Sequence, residues 1–262
     1  MREAFTMWRH TKMVVLVALT AAVYAAILIP LKGIPLIPGI TELRPANVVP
    51  VVFSILFGPA AAWGSAFGNL IGDFFGTLGL GSLFGFVGNF FYGLVAYKLR
   101  GKMGPLSSKE PLEARTARQI VEYLLLAFLA STACAAVIAW GVDLFGLVPF
   151  GVLGPVITLN NFLAAALIGP FLLRLLYPRA KRWNILWTEI MEPDEISRAA
   201  QPWMGVVLMW IGGIGALVVG VLVSTGLYAS LPFRFGTGST GLGTVAAVLP
   251  LLIVFVIGCL LA

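Results

Sequence analysis

The sequence predicts an all-α polytopic membrane protein, and three observations carry that prediction. Sixty per cent of the 262 residues are hydrophobic, 11% are charged, and mean hydropathy is +0.99. A soluble domain is nearer half apolar and a quarter charged. The apolar residues fall into eight separate runs, and the basic residues gather in alternate gaps between them.

A membrane helix needs roughly 20 mostly apolar residues. The runs cover residues 13–31, 46–62, 62–79, 82–99, 119–141, 156–177, 203–225 and 244–262. The first is preceded by basic residues, as a signal peptide would be. Its apolar stretch is longer than the roughly 7–15 residues of a signal core, so it reads as an uncleaved first helix. The second and third runs meet at Phe57-Gly58-Pro59, where the Gly-Pro pair reads as a turn.

Charge orients the bundle. Three Lys or Arg residues precede the first run, six lie between the fourth and fifth, and five lie between the sixth and seventh, fourteen of the 17 in all. Only Lys32, Arg44 and Arg234 fall on the other side. Cytoplasmic loops collect basic residues, so both termini are expected in the cytoplasm of a multi-pass cell-membrane protein. The net charge of +6 then reflects membrane orientation, with no nucleic-acid partner expected. Residues 182–191 place Trp183, Trp187, Ile190 and Met191 at helical spacing, which predicts a short amphipathic helix on the cytoplasmic face. Lipid contact is its expected role, with partner docking the alternative.

Small residues predict the packing. Gly64, Gly68, Gly72 and Gly76 form one ridge on the third run, and Gly212, Ala216 and Gly220 form another on the seventh. Such ridges let helix backbones approach closely in lipid. On the first run, Ala18, Ala22 and Ala26 form a stripe. That face either packs within the chain or meets another membrane subunit.

Polar residues inside spans are costly and by default mark function. Asp73 is the one acid well within a run; Asn69 sits one turn before it. Asn89 lies in the outer half of the fourth run, Asn160 and Asn161 in the outer part of the sixth, and Asn47 opens the second. Together they describe a polar pocket open to the outside and closed beneath by apolar packing. The proline-rich segment 30–50 is expected to fold over it as a lid, bringing Glu42 and Arg44 to the mouth. The two either pair with each other or offer a charge each to a ligand. One or two aromatics of the Phe75–Tyr92 region are placed to stack on a flat ring.

Several chemistries are absent. There is no Gly-x-x-x-x-Gly-Lys-Ser/Thr; the glycine-rich stretch 76–81 has no lysine after it. No His-Glu-x-x-His or Gly-x-Ser-x-Gly occurs, and the sole histidine, His10, precedes the first run. Cys134 and Cys259 lie within apolar runs, so neither a disulfide framework nor a metal site is expected. The sequence reads as a non-enzyme with no cofactor.

The stretches Glu42-Leu-Arg-Pro-Ala-Asn47, Trp63 to Gly76 and Gly85 to Gly93 resemble substrate-binding S components of energy-coupling-factor (ECF) transporters, most nearly the queuosine-precursor transporter type. The likeness covers about residues 10–177 and is strongest in 40–97. It implies a six-helix bundle with an outward pocket for a vitamin-like or purine-like molecule, capped by the first loop. It also implies a membrane coupling subunit and two cytoplasmic ATPases as partners, contacted through an Ala-x-x-x-Ala stripe that Ala18 and Ala22 match. The expected site is Glu42, Arg44, Asn47, Asn69, Asp73, Asn89, Asn160 and Asn161. The departure is an extra C-terminal helix pair. The domains are then a bundle over 1–180, an amphipathic linker over 181–202 and a transmembrane pair over 203–262. The competing expectation is a stand-alone secondary transporter with Asp73 as its coupling site.

Overall fold

A computed structural model of the chain describes residues 1–31, 34–37, 41–42, 44–108, 111–196, 201–227 and 242–262. The helices are α1 (Glu3–Thr6), α2 (Thr11–Leu31), α3 (Val48–Phe57), α4 (Pro59–Asp73), α5 (Leu80–Leu99), α6 (Ala117–Leu144), α7 (Phe150–Arg182), α8 (Trp187–Ile190), α9 (Pro202–Ser224) and α10 (Leu242–Leu261). Two short antiparallel strands, β1 (Pro35–Ile37) and β2 (Thr41–Glu42), pair between α2 and α3. Among the described residues six helices are long and apolar enough to cross a membrane: α2, α5, α6, α7, α9 and α10. The protein is an all-α polytopic membrane protein in its membrane part, as its composition predicts.

The second and third runs depart from the expectation of full spans. At ten residues α3 is about 15 Å long, half of a bilayer core of about 30 Å. Before it the chain makes a 3-10 turn at Pro45–Asn47 that is already buried in the bundle. Irregular backbone at membrane depth is tolerated where protein surrounds it. Here the Tyr92 hydroxyl donates to the Asn47 carbonyl at 2.9 Å, and the Arg44 N–H donates to Asn160 Oδ1 at 3.2 Å. So the chain re-enters the bundle before α3 begins. Gly58 then turns it into α4 at a φ of +55°, and a Cβ there would lie 2.5 Å from the Trp187 ring.

The glycine ridge of α4 meets α2. A Cβ at Gly64 would lie 2.5 Å from Thr20 Cβ, one at Gly68 2.8 Å from the Tyr24 ring, and one at Gly72 2.4 Å from Leu28. Thr20, Tyr24 and Leu28 are themselves four residues apart, so two matched ridges close on each other. Gly76 lies beyond the helix, with nothing within 4 Å of its added Cβ. The opposite face of α2 exposes Ala18, Ala22 and Ala26.

Helices α9 and α10 pack so closely that a Cβ at Gly212 would come within 2.4 Å of the Phe255 backbone nitrogen. They rest on α6, where the Trp140 indole donates to the Val245 carbonyl at 3.1 Å. The amphipathic helix predicted over 182–191 is not continuous. Helix α7 runs on to Arg182, Asn184 turns the chain at a positive φ, and α8 is a single turn. Trp187 is buried over Gly58 and edge-on to Tyr97, while Trp183 alone of the pair stays exposed. Of the orienting cations, Lys98 is not a loop residue: it closes α5 and is buried against Glu3.

Candidate binding site

One end of the bundle carries the starts of α5 and α7 and the ends of α2, α4 and α6. Between these elements lies a cavity of about 320 Å³. Arg44, Asn47, Asn69, Asp73, Asn89 and Asn161 line it, all expected from the sequence. Asn160 does not; helical neighbours point about 100° apart, and Asn160 instead accepts the Arg44 backbone N–H. Glu42 lies in β2, and its side chain falls outside the described residues.

Two polar chains organise the lining. In the first, Asn69 stands between the charges. Its Oδ1 accepts from Arg44 Nη1 at 2.9 Å, and its Nδ2 donates to Asp73 Oδ2 at 3.2 Å. Thr77 Oγ1 donates to the other Asp73 oxygen at 3.0 Å. Asn69 and Asp73 share a face because they are one helical turn apart. Gly85 makes room for this chain: a Cβ there would sit 2.8 Å from Asn69 Nδ2.

In the second chain, the Tyr24 hydroxyl donates to Asn47 Oδ1 at 2.6 Å, and Asn47 Nδ2 donates to Asn161 Oδ1. The Tyr24 oxygen also lies 3.3 Å from Asn89 Oδ1. A phenol has one proton, and the shorter contact takes it. Asn89 donates from Nδ2 to the Gly85 carbonyl at 2.8 Å, so its Oδ1 keeps accepting capacity at the cavity floor. Ile138, Val142, Leu153 and Ile157 belong to the apolar part of the lining.

The glycine-rich segment 76–81, which the sequence reads only as a failed phosphate loop, also lines the cavity, with Ser82 after it. Its position directly after Asp73 was the signal available. Tyr24 was also missed, because nothing in the sequence separates it from the other apolar residues of the first run. The expected aromatic stack is corrected: among the described lining residues none is aromatic. Phe75 is exposed, Phe84 packs on Trp140, and Phe86 and Phe90 join a Trp63 cluster. What the arrangement offers is recognition: amide donors and acceptors, one cation and one carboxylate beside apolar side chains. Such sites hold small polar ligands in largely preformed cavities.

The sequence model of the QueT transporter family matches residues 14–178. The chain belongs to the QueT transporter family. The match runs from α2 through nearly all of α7 and takes in every described lining residue of the cavity. It ends before α9 and α10, so the C-terminal helix pair is an addition to the family's matched region. Neither curated proteins nor solved structures gave a match. As a QueT family protein with six membrane-length helices, this is a multi-pass membrane transporter.

Proposed function

We propose that this QueT family protein is the membrane-embedded substrate-binding component of an ECF-type uptake system, and that its ligand is a purine-like queuosine precursor. The observation that carries the proposal is the amide-lined cavity lying wholly within the family-matched region. Its volume of about 320 Å³ suits a small planar metabolite. Asn89 Oδ1 and the neighbouring amides offer groups for a ring edge, Asp73 meets an exocyclic amine, and Ile138 and Ile157 cover the ring face. The sorting of basic residues supports a cavity that faces outward, with both termini in the cytoplasm. The lack of a phosphate-binding loop in the sequence supports an external energy source, supplied by two partner ATPases through a membrane coupling subunit. The exposed Ala18 and Ala22 suit close approach by that subunit.

A second reading rests on Asp73, the one carboxylate among the described lining residues. In a stand-alone transporter it would bind a coupling ion. The two readings part in liposomes holding this chain alone. The binding-component proposal expects ligand binding but no uptake, and expects Asp73→Asn to weaken binding itself. Uptake without any ATPase, with Asp73→Asn abolishing uptake while sparing binding, would contradict it.

A further inference from the structure

The opposite end of the bundle, where the basic residues gather, holds a second cavity of about 470 Å³. Among the described residues its side-chain charges are three cations, Lys98, Arg100 and Lys102, against two carboxylates, Glu3 and Glu122. The carboxylates are engaged. Glu3 Oε1 accepts from Lys98 Nζ at 2.8 Å and from the Tyr97 hydroxyl at 3.1 Å. Glu122 takes the Gly101 N–H on one oxygen at 3.0 Å and the Ser108 N–H on the other at 2.6 Å.

The donors are not matched in the same way. Among the described residues the Arg100 guanidinium donates to neutral oxygens alone, the Ile55 carbonyl and the Tyr177 hydroxyl, each at 3.2 Å. Lys102 uses one of its three N–H donors on a main-chain oxygen of Ala262, the last residue of the sequence. Trp187, which is buried in the wall, has an indole N–H with no partner among the described residues. A buried donor left without an acceptor costs about 1–3 kcal/mol. A cavity with engaged acceptors, an unmatched N–H and surplus positive charge is built to take an acceptor that is itself negative.

We propose that this cavity is a binding site for a phosphate-type oxyanion, carried either by a lipid headgroup or by a soluble phosphate. Its oxygens accept from Trp187 Nε1–H and from the ammonium of Lys102, with the Arg100 charge behind them. Such charge-assisted hydrogen bonds are about twice as strong as neutral ones. Burial, and then the neighbouring Lys98 ammonium, pull the Lys102 ammonium down to about 8, a strain that a bound anion relieves. The site lies at the far end from the amide-lined cavity and does not rest on what that cavity binds.

The test uses the full chain in neutral detergent and follows its melting midpoint. Inorganic phosphate is compared with chloride at equal ionic strength, and phosphatidylglycerol with phosphatidylcholine in mixed micelles. The proposal expects a rise of about 2–6 °C with phosphate or with phosphatidylglycerol. A response to phosphatidylglycerol alone assigns the site to a headgroup; a response to phosphate assigns it to a soluble anion. Lys102→Gln and Trp187→Phe should each weaken the response about three- to tenfold in midpoint ligand concentration. No response to either ligand in the wild-type chain overturns the proposal, as does an unchanged response in both variants.

Discussion

The hydroxyl of Tyr24 donates to the side-chain oxygen of Asn47 at 2.6 Å, and that bond joins the packing of the bundle to its polar cavity. The Tyr24 ring rests on Gly68, where the α2 and α4 ridges meet, while its oxygen reaches two lining residues, Asn47 and Asn89. Asn47 in turn holds Asn161. A residue that packs α2 against α4 thus also fixes the orientation of two lining amides.

Tyr24→Phe keeps the ring and removes the bond. Hydrogen bonds between membrane helices average about 0.6 kcal/mol, with the largest near 1.7. Leaving a buried acceptor unmet costs about 1–3 kcal/mol. The expected loss is therefore about 0.5–2 kcal/mol, read as a melting midpoint roughly 2–6 °C lower. Affinity for the precursor, measured by titration calorimetry, should fall about 3- to 30-fold, because Asn47 and Asn161 lose their fixed orientation.

Gly85→Ala tests the Arg44–Asn69–Asp73 chain without touching a polar group. The new methyl would lie 2.8 Å from Asn69 Nδ2, so the amide must turn away. Asn69 then no longer stands between Arg44 and Asp73. Precursor binding should weaken at least tenfold, while the melting midpoint moves by only a few degrees.

Gly212→Ala addresses the C-terminal pair. The added carbon would meet the Phe255 backbone at 2.4 Å, so α9 and α10 must part. Forced overpacking costs about 1–3 kcal/mol. The midpoint should fall while precursor affinity stays within about twofold of wild type, since neither α9 nor α10 supplies a described lining residue.

Anion binding at the basic end should depend on pH. Lys102 titrates at about 8 when that cavity holds no anion, and a bound anion raises its pKa. The contribution of its charge is then complete below pH 8 and is lost as the pH rises above it. Glu3, Lys98, Arg100 and Glu122 face the same cavity, and the nearby Met1 amine is pulled to about 6, below that window. Sulfate, whose own charge is constant over this range, is the suitable probe. Its midpoint concentration for stabilisation should rise between pH 7.5 and 9.5 in the wild-type chain and stay flat in Lys102→Gln.

Much of this molecule is legible in its residues, and the exceptions have physical causes. Hydropathy reveals the six long helices because lipid demands long apolar runs. The spacing of Asn69 and Asp73 reveals a shared polar face because the helix repeats every 3.6 residues. Hydropathy does not reveal that α3 is half a span, since a buried re-entrant turn is as apolar as a helix. Asn160 and Asn161 look equivalent in sequence, and only the rotation of α7 separates the lining amide from the one that holds the Arg44 backbone. The basic-end cavity is hidden for a different reason. Glu3 and Lys98 are 95 positions apart in the sequence, and only the fold brings α1 back against Lys98.

The most direct test of the central claim is calorimetric titration of a purine-like queuosine precursor into the purified chain, beside its Asn89→Leu variant. The amide-lined cavity is the binding site if the wild-type chain binds one equivalent and the variant, folded with a midpoint close to wild type, binds at least tenfold more weakly. One equivalent bound with equal affinity by both chains, or no binding to the wild-type chain, would contradict the account.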